Sequence, residues 1–206
     1  MKRSKTSKSW MSKHVSDVYV KKAQQAGYRS RAAFKLIEAD EKFQFFKKNI
    51  VAVDLGAAPG SWSQVLVNFK NDSGSCIALD LLEMDPIKGV DFIKGDFREA
   101  EVLKVLENKL NSTPLDLVIS DMAPNITGVK SVDQSRWLNL AELALDFAQN
   151  YVRRGGSIVV KCFEGEGSQE FCNSVRSVFR KVHRRKPQAS RDRSSEFFIV
   201  GLNKIG

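Results

Sequence analysis

Cysteine is scarce in this chain: Cys76, Cys162 and Cys172 are odd in number and show no CxxC spacing. That excludes a disulfide framework and the usual zinc-ligand spacing, and it fits thiols kept reduced in the cytoplasm. No apolar run approaches the roughly 18 residues that a membrane span needs. The lysines near the start are followed by no apolar segment of the secretory kind, so a cytoplasmic location is expected. A GxGxxG fingerprint is missing as well, which argues against a nicotinamide-dependent oxidoreductase. RRM, KH and zinc-ribbon signatures are absent too, so no separate RNA-reading module is expected. Internal repeats and linker-like stretches are also lacking. With 206 residues and 42% hydrophobic content, the chain can bury one sizeable core.

What is present is positive charge, unevenly spread. The formal net charge is +9, yet residues 1–48 alone hold 13 Lys/Arg against 4 Asp/Glu. A second basic stretch, residues 176–193, holds eight Lys/Arg, Arg176, Arg180, Lys181, Arg184, Arg185, Lys186, Arg191 and Arg193, against Asp192. Two basic segments flanking an acidic centre fit a polyanion bound at the edge of a globular unit, although a solvated basic surface has the same composition. The expected organisation is a basic helical extension over 1–48 and a single domain over 49–206.

Short β-rich apolar runs lie at 50–55, 75–80, 90–94, 115–120, 156–162 and 196–202, with helical patterns at 61–70, 97–110, 134–153 and 168–181. This alternation predicts an α/β fold with a mostly parallel sheet and helices on both faces. Two further helices are predicted over 10–25 and 30–46, broken at Gly27-Tyr28, with Ser30 capping the second. The polar stretch 183–195 reads as a loop.

The run Val-Asp-Leu-Gly-Ala-Ala-Pro-Gly-Ser-Trp, residues 53–62, takes a buried strand into a turn that opens a helix, the place where open α/β sheets bind ligands. Ala57, Ala58 and Pro59 follow Gly56, so the close pyrophosphate approach of a dinucleotide loop is blocked. Asp54 would repel pyrophosphate but suits a cationic sulfonium and its ammonium group. Gly60 lets the backbone approach the amino-acid moiety. Trp62 can border the cofactor, pack its helix on the sheet, or do both. Asp80, ending the second strand, suits ribose hydroxyls. Asp96, after the third, suits the adenine amino group, with Phe97 alongside. Singly each acid reads as a cap or surface charge; at three successive strand ends they read as a site.

The fourth strand ends in Ile-Ser-Asp-Met-Ala-Pro-Asn, residues 119–125, which sets Asp121 at the same edge. No aromatic follows Pro124 to stack on a target base, which disfavours base N-methylation. Lys161 ends an otherwise apolar run, a costly place for a lysine unless it is paired or functional. Lys35 lies before the sheet, and Glu196 opens the last strand.

The segments SRAAFKL (30–36), DLGAAPGSWSQ (54–64), GDF (95–97), SDMAPN (120–125), VVKCFEGEG (159–167) and RKPQASRDRSSEFFIV (185–200) together closely resemble the FtsJ/RrmJ family of RNA ribose 2'-O-methyltransferases, and its bacterial large-subunit rRNA members in particular. The resemblance implies a Rossmann-like, S-adenosylmethionine-dependent fold with a seven-stranded sheet. It also implies a catalytic tetrad of Lys35, Asp121, Lys161 and Glu196, and cofactor contacts at Gly60, Trp62, Asp80, Asp96 and Asp121. Ser61 stands where the family usually has a second glycine, and at a helix start its side chain can point away. The implied substrate is a ribose, of a uridine, in large-subunit ribosomal RNA within the 50S particle, with the enzyme monomeric and needing no metal. Ribose methylation of tRNA or of an mRNA cap uses the same chemistry and is the alternative. A hydroxyl is a poor nucleophile, so Lys161 must remove its proton or orient its lone pair, and the sequence leaves both roles open.

Overall fold

The computed structural model describes residues 17–69, 73–191 and 194–206. Helix α1, Val18–Gln25, begins at Asp17, whose carboxylate accepts the Tyr19 amide at 3.0 Å and so caps a first-turn donor. Positions 10–16, expected to be part of this helix, lie outside the described residues. Helix α2, Ala32–Phe43, ends at Gln44 in the left-handed region. Ser30, the expected cap, accepts the Ala32 amide at 3.2 Å and shares a 2.7 Å hydrogen bond with the hydroxyl of Ser61.

The rest of the chain alternates as β1 Val51–Leu55, α3 Ser61–Phe69, β2 Ser75–Asp80, β3 Asp91–Lys94, α4 Ala100–Leu110, β4 Leu115–Ser120, α5 Lys130–Tyr151, β5 Val152–Phe163, α6 Ser168–Val178, β6 Phe179–Arg185 and β7 Glu196–Lys204. The seven strands form one sheet in the order β3-β2-β1-β4-β5-β7-β6. The first five run parallel, and β7 lies antiparallel to both β5 and β6. The order reverses between β1 and β4, so the crevice at their carboxyl ends is the natural ligand position.

Helices cover both faces. One side is closed by α2 and α3, where Leu36, Ala39, Trp62 and Leu66 pack on Leu117, Ile119, Val159 and Phe198. The other is closed by α4, α5 and α6, where Leu106, Trp137, Phe147 and Phe171 pack on Val53, Val118, Ile158 and Ile199. Side chains alternate along a strand, so Lys161 shares the α2 face with Val159, and Glu196 shares it with Phe198 and Val200.

Several boundaries depart from the sequence reading. Helix α2 covers Ala32–Phe43 rather than 30–46. Helix α5 starts at Lys130 rather than 134, and β5 begins directly after it at Val152 rather than 156. Helix α4 starts at Ala100 rather than 97, and Phe97 is buried in the core against Phe147. One further departure changes the topology. Helix α6 stops at Val178, and Phe179–Arg185, expected to be part helix and part loop, is the edge strand β6. Its basic residues mask the period of two, and charged side chains are what an edge strand tolerates. Phe179 anchors it: the ring is buried against Gly201 of β7, where an added Cβ would lie 2.9 Å from Phe179 Cγ. His183, two pleats on, stacks on Phe43 of α2 at 4.6 Å between ring centroids.

Phe179→Ala is therefore expected to cost about 3–5 kcal/mol by emptying a packed site. Lys181→Ala, at an exposed position of the same strand, should stay within about 0.5 kcal/mol. Urea unfolding of the two variants checks this; equal midpoints would contradict the anchoring role.

Candidate active site

The loop after β1 is held by main-chain bonds to its neighbour. The amides of Gly56 and Ala57 donate to the Leu79 carbonyl at 2.9 and 3.2 Å, and the Ala58 amide donates to Asp80 Oδ2 at 2.9 Å. Gly56 has φ 74°, and a Cβ there would meet the Met122 backbone nitrogen at 2.8 Å, so the chain leaving β4 imposes the glycine. Gly60 has φ 103° and faces Met84, Ile87 and Arg29, the first two in the segment between β2 and β3.

Arg29 fastens these pieces together. Its guanidinium donates to the carbonyls of Pro59 at 2.9 Å, Asp85 at 2.7 Å and Pro86 at 3.0 Å. An open cavity of about 600 Å³ lies beside it, lined by Arg29, Pro59, Glu83, Met84, Asp85 and Pro86. Sequence reasoning missed Arg29, because one arginine in a basic segment carries no mark of its partners.

The three acids assigned to the cofactor differ in environment. Asp80 accepts the amides of Ala58 and of Leu82, the latter at 2.8 Å, so it shapes the loop while keeping free lone pairs. Asp96 is gripped by Arg98, whose Nε lies 2.9 and 3.1 Å from its oxygens, and these bonds hold its carboxyl below the usual value. Asp54 is fully buried; its Oδ2 accepts the Ser63 hydroxyl at 2.6 Å, and its Oδ1 has no hydrogen-bond partner among the described residues. Burial pushes the Asp54 carboxyl up to about 7, the Ser63 hydrogen bond opposes this, and the charges of Asp121 and Asp80 add to it. A buried, orphaned carboxylate oxygen among further acids fits a cationic ligand and would repel an anionic one.

The two aromatics are committed elsewhere. The Trp62 indole donates to the Ala32 carbonyl at 2.8 Å and packs on Phe198 at 5.5 Å, so the side chain serves the core between α2 and α3. Only the main chain of Trp62, at the start of α3, remains for a ligand. Phe97 packs edge-on to Phe147.

The four tetrad residues meet at the same edge of the sheet. Lys161 Nζ lies 2.8 Å from Asp121 Oδ1 and also donates to the Asp121 carbonyl. The ion-pair contact is off the hydrogen-bond direction, which leaves Oδ1 without a well-aligned donor. The Lys161 carbonyl in turn accepts the Trp137 indole N–H at 3.1 Å, which fixes the backbone beneath it. Lys35 Nζ lies 2.5 Å from Glu196 Oε1, which also accepts the Ser190 hydroxyl at 2.8 Å. Burial works to raise the Glu196 carboxyl, but Lys35, Ser190 and Lys161 together hold it below the ordinary value. Its stabilising contribution is thus present above about pH 4.5 and is lost as pH falls through that depressed value.

Strand polarity explains why Glu196 is here. Because β7 runs antiparallel to β5, its first residue sits beside the last of β5, with Glu196 opposite Phe163 and Phe198 opposite Lys161. Lys35 reaches the site from α2, which covers that face, and its ammonium lies 5.9 Å from the Phe198 ring centre. The arrangement offers a basic amine beside a cation-accepting loop, which suits moving a proton from an incoming hydroxyl next to a positively charged group donor.

Residues 28–204 match the FtsJ-like methyltransferase family. Curated relatives named ribosomal RNA large subunit methyltransferase E include proteins of Methylobacillus flagellatus, 55% identical over 204 residues, and Nitrosospira multiformis, 53% identical, each alignment covering 99% of both chains. A crystal structure from Plasmodium falciparum, assigned as a ribosomal RNA methyltransferase, is 34% identical with a TM-score of 0.76 and covers 87% of this chain and all of that one. Aeropyrum pernix fibrillarin with bound S-adenosyl-L-methionine shares the fold at a TM-score of 0.57 and 14% identity, over 85% of this chain and 75% of that one. With that match and these identities over almost its whole length, the chain belongs to the FtsJ-like methyltransferase family.

Proposed function

We propose that this chain transfers the methyl group of S-adenosylmethionine to a ribose 2'-hydroxyl, that of a uridine in large-subunit (23S) ribosomal RNA, acting as a monomer on the assembled 50S subunit in the cytoplasm. The observation that carries the chemistry is the Lys161–Asp121 pair at the carboxyl ends of β5 and β4, with Lys35–Glu196 alongside. The substrate rests on the bacterial relatives, whose names specify large-subunit ribosomal RNA. Among the described residues no helix is long and apolar enough to cross a membrane.

When bound, S-adenosylmethionine supplies a methyl group on a positively charged sulfur, a good leaving group. Asp54 and Asp121 would hold its positive charges, Asp80 its ribose hydroxyls and Asp96 its adenine amino group. Gly60 and the main chain of Trp62 would border the amino-acid moiety, beside Gly56 and Pro59, and Phe97 would shape the adenine end from the core. Lys161, once it has given up its own proton, donates to the Asp121 carbonyl, with Asp121 Oδ1 beside it. Its lone pair is then left to accept the proton of the attacking hydroxyl. Once the proton has arrived, Asp121 and Glu196 stabilise the ammonium. Lys35, held by Glu196, aligns the ribose.

Lys161→Ala and Lys161→Arg should each lower kcat by about 10²–10⁴-fold while cofactor binding persists, because a guanidinium cannot accept the proton. Near-normal turnover of either variant would remove Lys161 from the base role.

Asp54 makes cofactor binding pH-dependent. A carboxyl raised to about 7 contributes stability to the free protein that is complete below 3.8 and lost as pH rises through about 7. A cationic ligand favours the carboxylate, so binding should release a proton near pH 6.5, and affinity should climb with pH and level off above about 7.5. Calorimetry in buffers of different ionisation enthalpy reads the proton directly. Asp54→Asn should flatten the profile; an unchanged profile would place the titration elsewhere.

The substrate is tested by incubating the protein and labelled S-adenosylmethionine with purified 50S subunits, free rRNA and tRNA, then mapping the methylated nucleotide. Label in a ribose of the large-subunit RNA is expected, and label in tRNA alone would overturn the assignment.

A further inference from the structure

A second, smaller cavity of about 210 Å³ adjoins the tetrad and is lined by Arg31, Lys35, Arg191, Ser194 and Glu196. Its charges do not cancel. Lys35 is neutralised by Glu196, and Arg31 pairs with Asp17 and donates to the Ala189 carbonyl. The Arg191 guanidinium has no side-chain partner among the described residues. The two guanidiniums are close enough to matter to each other: burial, and next the charge of Arg191, hold the Arg31 guanidinium below its ordinary value, against the pull of Glu196.

The wall that carries Arg191 is fixed. Glu38 of α2 accepts the amides of Gln188 at 2.7 Å and Ala189 at 3.1 Å. Ala189 and Ser190 are both buried, and the Ser190 hydroxyl donates to Glu196. Arg31 immediately precedes α2, and Lys35 and Glu38 lie on it, so one helix sets the spacing of the cavity. Two arginines held near each other with one uncompensated charge make a standing repulsion that a bound anion removes.

We propose that Arg31 and Arg191 clamp the phosphodiester on the 3' side of the ribose being methylated. This rests on the ribose 2'-hydroxyl reading of the tetrad. The carbon that bears the 2'-hydroxyl is bonded to the one that bears the 3'-phosphate, whereas the 5'-phosphate hangs from the far side of the sugar. A hydroxyl presented to Lys161 therefore brings its 3'-phosphodiester nearest to the neighbouring cavity. The two non-bridging oxygens match the forked donors of guanidinium. The volume falls below the roughly 300–1,000 Å³ of pockets that enclose whole ligands, so it suits a single group of a larger substrate. The clamp also gives the base contacts no role in placing the sugar, as expected for phosphate contacts that position without reading sequence.

Arg191→Gln tests this, since Arg191 is exposed and its side chain holds no bond to the described residues; its melting temperature should match that of the wild type. On 50S subunits lacking the modification, KM should rise about tenfold or more with kcat within about twofold, and the slope of log affinity against log salt should shrink by about one. Arg191→Lys should recover part of the loss. Binding is then measured with RNA fragments that contain the mapped target nucleotide and carry a neutral methylphosphonate at the 3' or the 5' linkage. The 3' substitution should weaken the wild type and leave Arg191→Gln no weaker than it already is, and the 5' substitution should affect both proteins alike. A wild-type KM and salt slope in Arg191→Gln, equal sensitivity of both proteins to the 3' substitution, or coupling to the 5' linkage instead would each overturn the clamp. Failure of the ribose reading would show separately, as label found on a base rather than on a 2'-oxygen.

Discussion

Three carboxylates, Asp54, Asp80 and Asp121, gather at the carboxyl ends of β1, β2 and the chain leaving β4, and the rest of this edge is organised around their charge. Gathered acids repel, and Asp54 feels both of the others through a fully buried position. The protein relieves the repulsion unequally. Lys161 neutralises Asp121, main-chain amides solvate Asp80, and Asp54 is served, among the described residues, by Ser63 alone. Among the described residues, Asp121 Oδ1 has only the misaligned Lys161 ammonium and Asp54 Oδ1 has no donor at all; the latter is the more deeply buried, where a positive ligand gains most from it.

The second constraint is strand polarity. In an all-parallel sheet the amino end of the last strand would lie at the opposite edge from Lys161, and a glutamate that opens that strand would be far from the site. Insertion of β7 between β5 and β6 in the reverse direction puts Glu196 at the carboxyl edge. The same reversal makes room for Lys35, because Glu196 and Phe198 alternate onto the face that α2 covers. Neither ion pair is to be read as a device for stability. Bringing two charges out of water costs about as much as their attraction returns, and apolar side chains would fill these positions at least as well.

Much of this was legible in the sequence, for reasons that differ from residue to residue. Asp121 and Lys161 stood out because each ends an apolar run, and polar groups at buried strand ends need a cause. The loop at 54–60 was legible because its glycine spacing rules out pyrophosphate. Lys35 and Glu196 were visible only through the family resemblance, since an antiparallel strand cannot be told from a parallel one by its side chains. Strand β6 was hidden because its basic residues obscure the alternation anchored by Phe179. Trp62 could not be resolved in advance: an aromatic after a turn serves core or ligand equally, and only the indole bond to Ala32 decides for the core. Arg29 left no trace, because carbonyl acceptors have no sequence signature.

The basic amino-terminal segment read first as a source of charge, and its geometry adds a mechanical role. Between Arg29 and Glu38 the chain binds the cofactor loop through Pro59, the segment between β2 and β3 through Asp85 and Pro86, the last strand through Glu196, and the basic loop through Gln188 and Ala189. Its apolar side meanwhile buries Ala33, Leu36 and Ala39 against the sheet. Ten residues therefore tie the donor side of the reaction to the acceptor side, and the core fixes their position. In-line transfer demands sub-ångström placement of the acceptor oxygen relative to the donor methyl. Helix α2 and the short turn before it together contact both halves and meet that demand without a separate lid. This accounts for a concentration of charge on α2 and the residue before it beyond what polyanion attraction alone requires: Arg31, Lys35 and Glu38 sit three or four residues apart, on one flank, because each must reach a different piece of the same site.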